Sequence, residues 1–69
     1  MINPYIDEHG NKRWFNEDWN LNHEDGPAIE YANGDKAWYI NGKRHREDGP
    51  AIERVSGHKS WFINGKEVK

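Results

Sequence analysis

A seven-residue phrase occurs twice in this chain, and that repetition limits the folds open to it. Glu24-Asp25-Gly26-Pro27-Ala28-Ile29-Glu30 returns 23 residues later as Glu47-Asp48-Gly49-Pro50-Ala51-Ile52-Glu53. Trp38-Tyr39-Ile40-Asn41-Gly42-Lys43 returns at the same offset as Trp61-Phe62-Ile63-Asn64-Gly65-Lys66. A fixed period in this range marks a repeat architecture, in which each unit is one supersecondary element buried only by stacking on its neighbours. Units over about residues 4–26, 27–49 and 50–69 make a single repeat domain. Chemistry rarely needs two copies of a catalytic group, so the repeated residues read as structural. Function belongs where the copies differ.

A chain of 69 residues buries only about 60% of its unfolded surface. A core of that size rarely supplies more than about 3–5 kcal/mol without a staple. There is no cysteine, hence neither a disulfide framework nor a thiolate metal site. Four Trp, three Tyr and two Phe, or a second chain, must supply the rest. Ten basic residues lie dispersed among twelve acidic ones, for a net charge of −2. That balance argues against non-specific nucleic-acid binding, which rests on a basic field. Met1-Ile2-Asn3-Pro4-Tyr5 has neither the basic start nor the apolar run of a signal peptide. Nothing approaches the roughly 20 apolar residues of a membrane span. A cytoplasmic protein is expected.

The turn signals are dense. Asn33-Gly34, Asn41-Gly42 and Asn64-Gly65 each separate short runs, and Asn-Gly favours a two-residue type I′ hairpin, which needs φ > 0 twice. Ser56-Gly57 takes the place of Asn33-Gly34 in the last copy. The two Glu-Asp-Gly-Pro segments read as four-residue turns, with Asp bonding the backbone, Gly left-handed and Pro opening the next strand. The runs between these signals are too short for helices. The expected fold is an all-β antiparallel meander of about six short strands, a curled sheet.

A register follows from these turns. Two-residue loops set Ile29 opposite Trp38 and Trp38 opposite His45; the turn over residues 47–50 then sets His45 opposite Ile52. Extended, the row reads Ile29, Trp38, His45, Ile52, Trp61, Val68, a core face that Trp14 and Tyr5 continue. A one-residue slip would turn each strand over. On the other face Tyr39 meets Arg44, and Arg44 meets Glu53. With no helix to cover that face, Tyr39, Phe62, Phe15 and Leu21 become candidates for a second layer, a dimer interface or a partner surface.

The first unit is irregular. Gly10, Lys12, Trp14 and Phe15 match Gly34, Lys36, Trp38 and Tyr39 at an offset of 24, and Asn16-Glu17-Asp18-Trp19-Asn20 replaces the Asn-Gly turn. Trp19 has no counterpart in the later copies. It is either part of a capping terminal repeat or an exposed binding anchor, a role Trp often fills.

Catalytic readings are weak. His23-Glu24-Asp25 and His45-Arg46-Glu47-Asp48 hold acid–base groups, but the acidic pairs repeat at turns and His45 falls in the expected core row. No nucleophile signature and no phosphate loop is present, and the four His are not spaced as a structural zinc set. The chain is expected to be no enzyme, with no metal and no cofactor. A sharper cluster is a row reading Pro27, Ile40, Lys43, Arg54, Lys59, in which three cations stand side by side. Directly opposed like charges destabilise a sheet unless an anion or a carboxylate relieves them, so this row reads either as solvated strand ends balanced by Glu47 or Asp35 or as a site for an acidic partner or a phosphate-bearing ligand. Arg44 and Arg46, flanked by Tyr39 and Phe62, suit a nucleotide in the same way.

Residues 38–49 (WYINGKRHREDG), followed by Pro50-Ala51-Ile52 and repeating at 23 residues, resemble MORN-type repeats. The form NGKxHRxDGPA is similar to a variant repeat of small proteins from bacteriophages, giant viruses and some bacteria. The resemblance covers residues 10–69 and departs from the usual pattern by extra residues between His45 and Gly49. It implies a curled antiparallel sheet used for assembly or binding, and it assigns no catalytic residue. It further implies a phage accessory protein that binds and disables a host defence factor in the host cytoplasm. Trp19, Tyr39, Phe62, Arg44 and Arg46 are then the expected host-protein contacts. The alternatives are a sponge that sequesters a nucleotide signal at Lys43, Arg54 and Lys59, or a structural assembly subunit, and a homo-oligomer fits either.

Overall fold

The computed structural model describes residues 4–68; residues 1–3, read above as part of a start without a leader, lie outside it. Ten two-residue strands follow one another along the described chain: β1 Tyr5–Ile6, β2 Lys12–Arg13, β3 Ile29–Glu30, β4 Lys36–Ala37, β5 Tyr39–Ile40, β6 Lys43–Arg44, β7 Ile52–Glu53, β8 Lys59–Ser60, β9 Phe62–Ile63 and β10 Lys66–Glu67. Turn residues recur too often for longer strands or for helices. Six strands form one antiparallel sheet in the order β1-β2-β3-β4-β7-β8, as the all-β reading expects. The remaining four form two separate hairpins, β5-β6 and β9-β10. The whole is thin, with principal extents of 31 × 27 × 15 Å.

The two kinds of Gly turn behave differently. Asn41 (φ 51) with Gly42 (φ 81) and Asn64 (φ 52) with Gly65 (φ 85) are left-handed at both central residues, as a type I′ turn requires. They set Tyr39 opposite Arg44 and Ile40 opposite Lys43. At Asn33-Gly34 only Gly34 is left-handed, with φ 100. There Tyr31 N donates to Asp35 O and Gly34 N to Tyr31 O, both at 2.9 Å, enclosing three loop residues rather than two. The same loop recurs at Gly57 and Gly10. A three-residue loop with a left-handed third residue is the next commonest hairpin connection.

That extra loop residue corrects the expected register. Ile29 faces Ala37, not Trp38. Ile52 faces Ala37 and Ser60, because β7 joins β4 rather than β6. The innermost row therefore reads Arg13, Ile29, Ala37, Ile52, Ser60. Its neighbour on the opposite face reads Lys12, Glu30, Lys36, Glu53, Lys59, alternating in sign across five strands, an arrangement that favours pairing at each step. Arg44 does not meet Glu53, whose strand neighbours are Lys36 and Lys59.

The core is built of small residues. Ala28 and Ala51 are fully buried, and Ile29, Ala37 and Ser60 nearly so. Trp14, Trp38 and Trp61 are half-buried instead of central. Val68 and Tyr5, expected on the core face, are 59% and 63% exposed. Small side chains let backbones approach, while each indole directly follows a strand of the six-stranded sheet, β2, β4 or β8.

Successive units are tied by side chains that accept backbone N–H groups of the following unit. Asn11 Oδ1 accepts from Ala32 N at 2.7 Å, and Asp35 Oδ1 accepts from Val55 N at 2.8 Å. Asn22 Oδ1 accepts from Asn41 N at 2.9 Å, and His45 Nδ1 accepts from Asn64 N at 3.0 Å. Each donor lies in an exposed turn, so these bonds replace water and fix the turn against the preceding unit.

Candidate functional site

The first unit supplies the most exposed large hydrophobic side chain among the described residues. Asn16 N donates to Asn20 O at 2.9 Å and Trp19 N to Asn16 O at 3.0 Å. These bonds close the same three-residue loop found at Gly10, Gly34 and Gly57, but its left-handed position is held by Trp19, with φ 64. A bulky L-residue there costs about 1–2 kcal/mol, so local backbone preference does not account for Trp19. Its side chain is 80% exposed, with the Phe15 ring 5.9 Å away and tilted by 57°. Asn16 holds the loop from within, its Oδ1 accepting from Asp18 N at 2.9 Å and Asn20 N at 3.0 Å.

Three further candidates come together. Arg44 Nε donates to the Tyr39 hydroxyl at 3.3 Å, and the Arg44 guanidinium lies 5.2 Å from the Phe62 ring centroid. Tyr39 and Phe62 are half-buried while Arg44 is exposed, so an aromatic pair supports a cation with free donors. Asn16 Nδ2 donates to Asn41 Oδ1 at 2.9 Å, tying the Trp19 loop to the turn that leads into β6. Asn16 thus joins the Trp19 loop to the hairpin that carries Lys43 and Arg44.

Arg46 N donates to Phe62 O at 3.2 Å, but the Arg46 side chain turns away from this cluster. Its guanidinium lies 3.9 Å from the Trp38 centroid, with Nε donating to Asp48 Oδ1 at 3.0 Å. Its Nη1 donates to Pro50 O at 3.1 Å and to Glu53 Oε2 at 3.0 Å. With its donors committed inside the fold, Arg46 is an internal brace and not the free contact expected. His23 does the same in the first unit, stacked on Trp14 at 4.7 Å and 6°, with Nδ1 donating to Pro27 O at 3.0 Å. Sequence reasoning passed over this equivalence, although His23 and Arg46 differ by the repeat offset and each follows a Trp.

The Glu-Asp-Gly-Pro glycines are also explained here. Neither Gly26 nor Gly49 is left-handed. A Cβ on Gly49 would meet the Arg46 Cζ at 2.9 Å, and one on Gly26 the His23 Cε1 at 3.5 Å. At Gly49 glycine serves the close approach of the bracing Arg46 side chain, whereas at Gly26 a Cβ would make only ordinary contact with His23.

The cation row is not formed. Lys59 faces Glu53, Lys43 faces Ile40, and Arg54 pairs with Asp35 at 3.6 Å. The three-residue loop at Gly57 shifts Arg54 out of opposition with Lys59, so each cation of the expected phosphate site has a different neighbour. An open groove of about 670 Å³ lies between the two Glu-Asp-Gly-Pro turns, walled by Trp38, Ile40 and Pro27 and edged by Glu24, Asp25, Glu47 and Asp48. His23 and His45, whose acid–base reading was weak in sequence, both border it, each engaged in a structural hydrogen bond.

Among the described residues no group of three His, Asp or Glu side chains is placed to hold a metal. No helix long and apolar enough to cross a membrane is present among them. No protein-family model, curated protein or solved structure matches the chain.

Proposed function

We propose that this chain is a non-enzymatic protein-interaction module that grips its partner with Trp19 and the Tyr39–Arg44–Phe62 cluster. The observation carrying this reading is Trp19 itself: an 80% exposed indole on a left-handed backbone position that glycine fills in the sister loops. A loop closed by four hydrogen bonds presents it, which lowers the ordering entropy lost on binding, and Trp, Tyr and Arg are the side chains enriched at binding hot spots. The complementary surface is an apolar pocket for the indole, bordered by carboxylates that meet Arg44 and Lys43. The MORN-like motif supports a finer statement, a phage accessory protein that binds and disables a host defence factor.

The test measures capture of the host partner and protection of phage growth with the wild-type chain, Trp19→Gly and Arg44→Glu. Loss of both activities in folded variants is expected. Full capture and protection by both variants would sink the assignment.

A further inference from the structure

We propose that a second copy of this chain docks head to tail, its β1 strand pairing antiparallel with the outer edge of β8. This goes beyond the partner-binding reading and does not depend on it. The occupant follows from the repeat, because the chain already makes this joint twice within itself.

At the first joint β3 lies on β2, with Ile29 opposite Arg13 and Glu30 opposite Lys12. At the second, β7 lies on β4, with Ile52 opposite Ala37 and Glu53 opposite Lys36. By the repeat offsets β8 corresponds to β2 and β4, and β1 corresponds to β3 and β7. Both β8 and β1 end the sheet among the described residues. The continued register sets Tyr5 of a second copy opposite Ser60, and Ile6 of that copy opposite Lys59. Tyr5 and Ile6 are 63% and 57% exposed, an apolar open edge of the kind that templates pairing.

The turns agree independently. A Cβ on Gly34 would meet Val55 Cγ1 at 2.7 Å and one on Gly10 would meet Ala32 Cβ at 3.7 Å, so the following unit's loop covers each. At Gly57 nothing lies within 4 Å. The residue equivalent to Ala32 and Val55 that would cover it is Glu8 of the next copy. Asn11 and Asp35 accept the N–H of Ala32 and Val55; His58, at the equivalent place, would accept that of Glu8. A heterologous joint of this kind leaves one edge free at each end, so the stack extends beyond a dimer.

Sedimentation velocity over a concentration series tests this, with circular dichroism and melting used to verify folding. Ile6→Pro removes an outward-facing donor, since Asp7 N is the neighbour that turns inward to Asn11 O, and proline is tolerated at such an edge. Ile6→Glu restores the Glu–Lys opposition that Glu30 and Glu53 make. The wild-type chain should show mass rising with concentration, Ile6→Pro should remain monomeric, and Ile6→Glu should associate at about two- to fivefold lower concentration. A wild-type chain monomeric up to its solubility limit overturns the joint. So does association that Ile6→Pro leaves intact, or that Ile6→Glu weakens as it would weaken simple apolar sticking.

Discussion

The Arg46 guanidinium lies 3.9 Å from the centre of the Trp38 ring and donates to the Pro50 carbonyl at 3.1 Å, the same place and bond that His23 takes over Trp14. Two chemically different side chains thus solve one problem, covering an indole and satisfying a turn carbonyl. Arg46→Ala should destabilise the fold by about 2 kcal/mol, since it loses a partly buried cation–π contact and charge-assisted hydrogen bonds. Arg46→His should recover part of that loss. Urea unfolding of the three proteins decides it; an Ala variant as stable as wild type would remove the bracing role.

Trp19 separates stability from binding. Trp19→Gly places at φ 64 the residue that position favours, and should stabilise the chain by about 1 kcal/mol. The same change should weaken partner binding at least tenfold, the loss of a hot-spot Trp. A variant that is more stable and binds equally well would show that Trp19 is no anchor.

The Asp7 carboxylate is held well below the usual carboxylate range. The Asn11 side-chain amide, at 3.0 Å, is the largest cause; Arg13 at 3.0 Å and the backbone N–H groups of Asn11 and His9 add to it, against a desolvation penalty. Its folded value is depressed, so its contribution is complete above the unfolded value near 3.9 and is lost as pH falls below that toward the folded value. Asp7→Asn should therefore be less stable at neutral pH and lose less on acidification below about pH 4. Denaturant midpoints against pH measure both; parallel acid limbs for the two proteins would exclude the assignment.

His45 Nδ1 accepts the Asn64 N–H at 3.0 Å, as Asn22 Oδ1 accepts the Asn41 N–H at 2.9 Å. His45→Ala should cost about 0.5–1.5 kcal/mol by removing that hydrogen bond, and His45→Asn should restore most of it. Thermal unfolding compares them. Equal stability of the Ala and Asn variants would deny the bond its role.

Gly34 and Gly57 share a left-handed backbone, at φ 100 and φ 99, so alanine carries a similar conformational cost at both. Only at Gly34 does the new methyl strike Val55, at 2.7 Å. Gly34→Ala should cost about 0.5–1.5 kcal/mol more than Gly57→Ala, because Val55 must leave its rotamer, measured at a concentration where the chain is monomeric. Adding Val55→Ala should relieve most of the difference; no relief would mean that Val55 does not cover Gly34.

The Asn41-Gly42 and Asn64-Gly65 turns were legible from the dipeptide, and the pairings beside them follow directly. The Asn33-Gly34 dipeptide misled, because a two-residue turn and a three-residue loop can carry the same two residues. One added residue moved Trp38 out of the central row and replaced it with Ala37, and it dissolved the supposed opposition of Arg54 and Lys59. The grouping of Tyr39 with Arg44 was readable as a hairpin pair, and Phe62 was readable beside the two arginines, but that Arg44 alone lies over its ring, with Arg46 over Trp38, depends on how the next unit stacks. Arg46 was named as a contact because its charge and aromatic neighbours are visible in sequence, but its commitment to Asp48, Pro50 and Glu53 is not.

By itself the sequence determined the strand-forming character, the repeat period and the places where the chain reverses, because short runs between Gly, Asn and Pro leave the backbone few other choices. Tertiary structure decided which strand lies beside which, which indoles remain half-exposed, and which cations are free. Those outcomes depend on loop length and on contacts between units 23 residues apart, where a single residue's shift exchanges the faces of a strand.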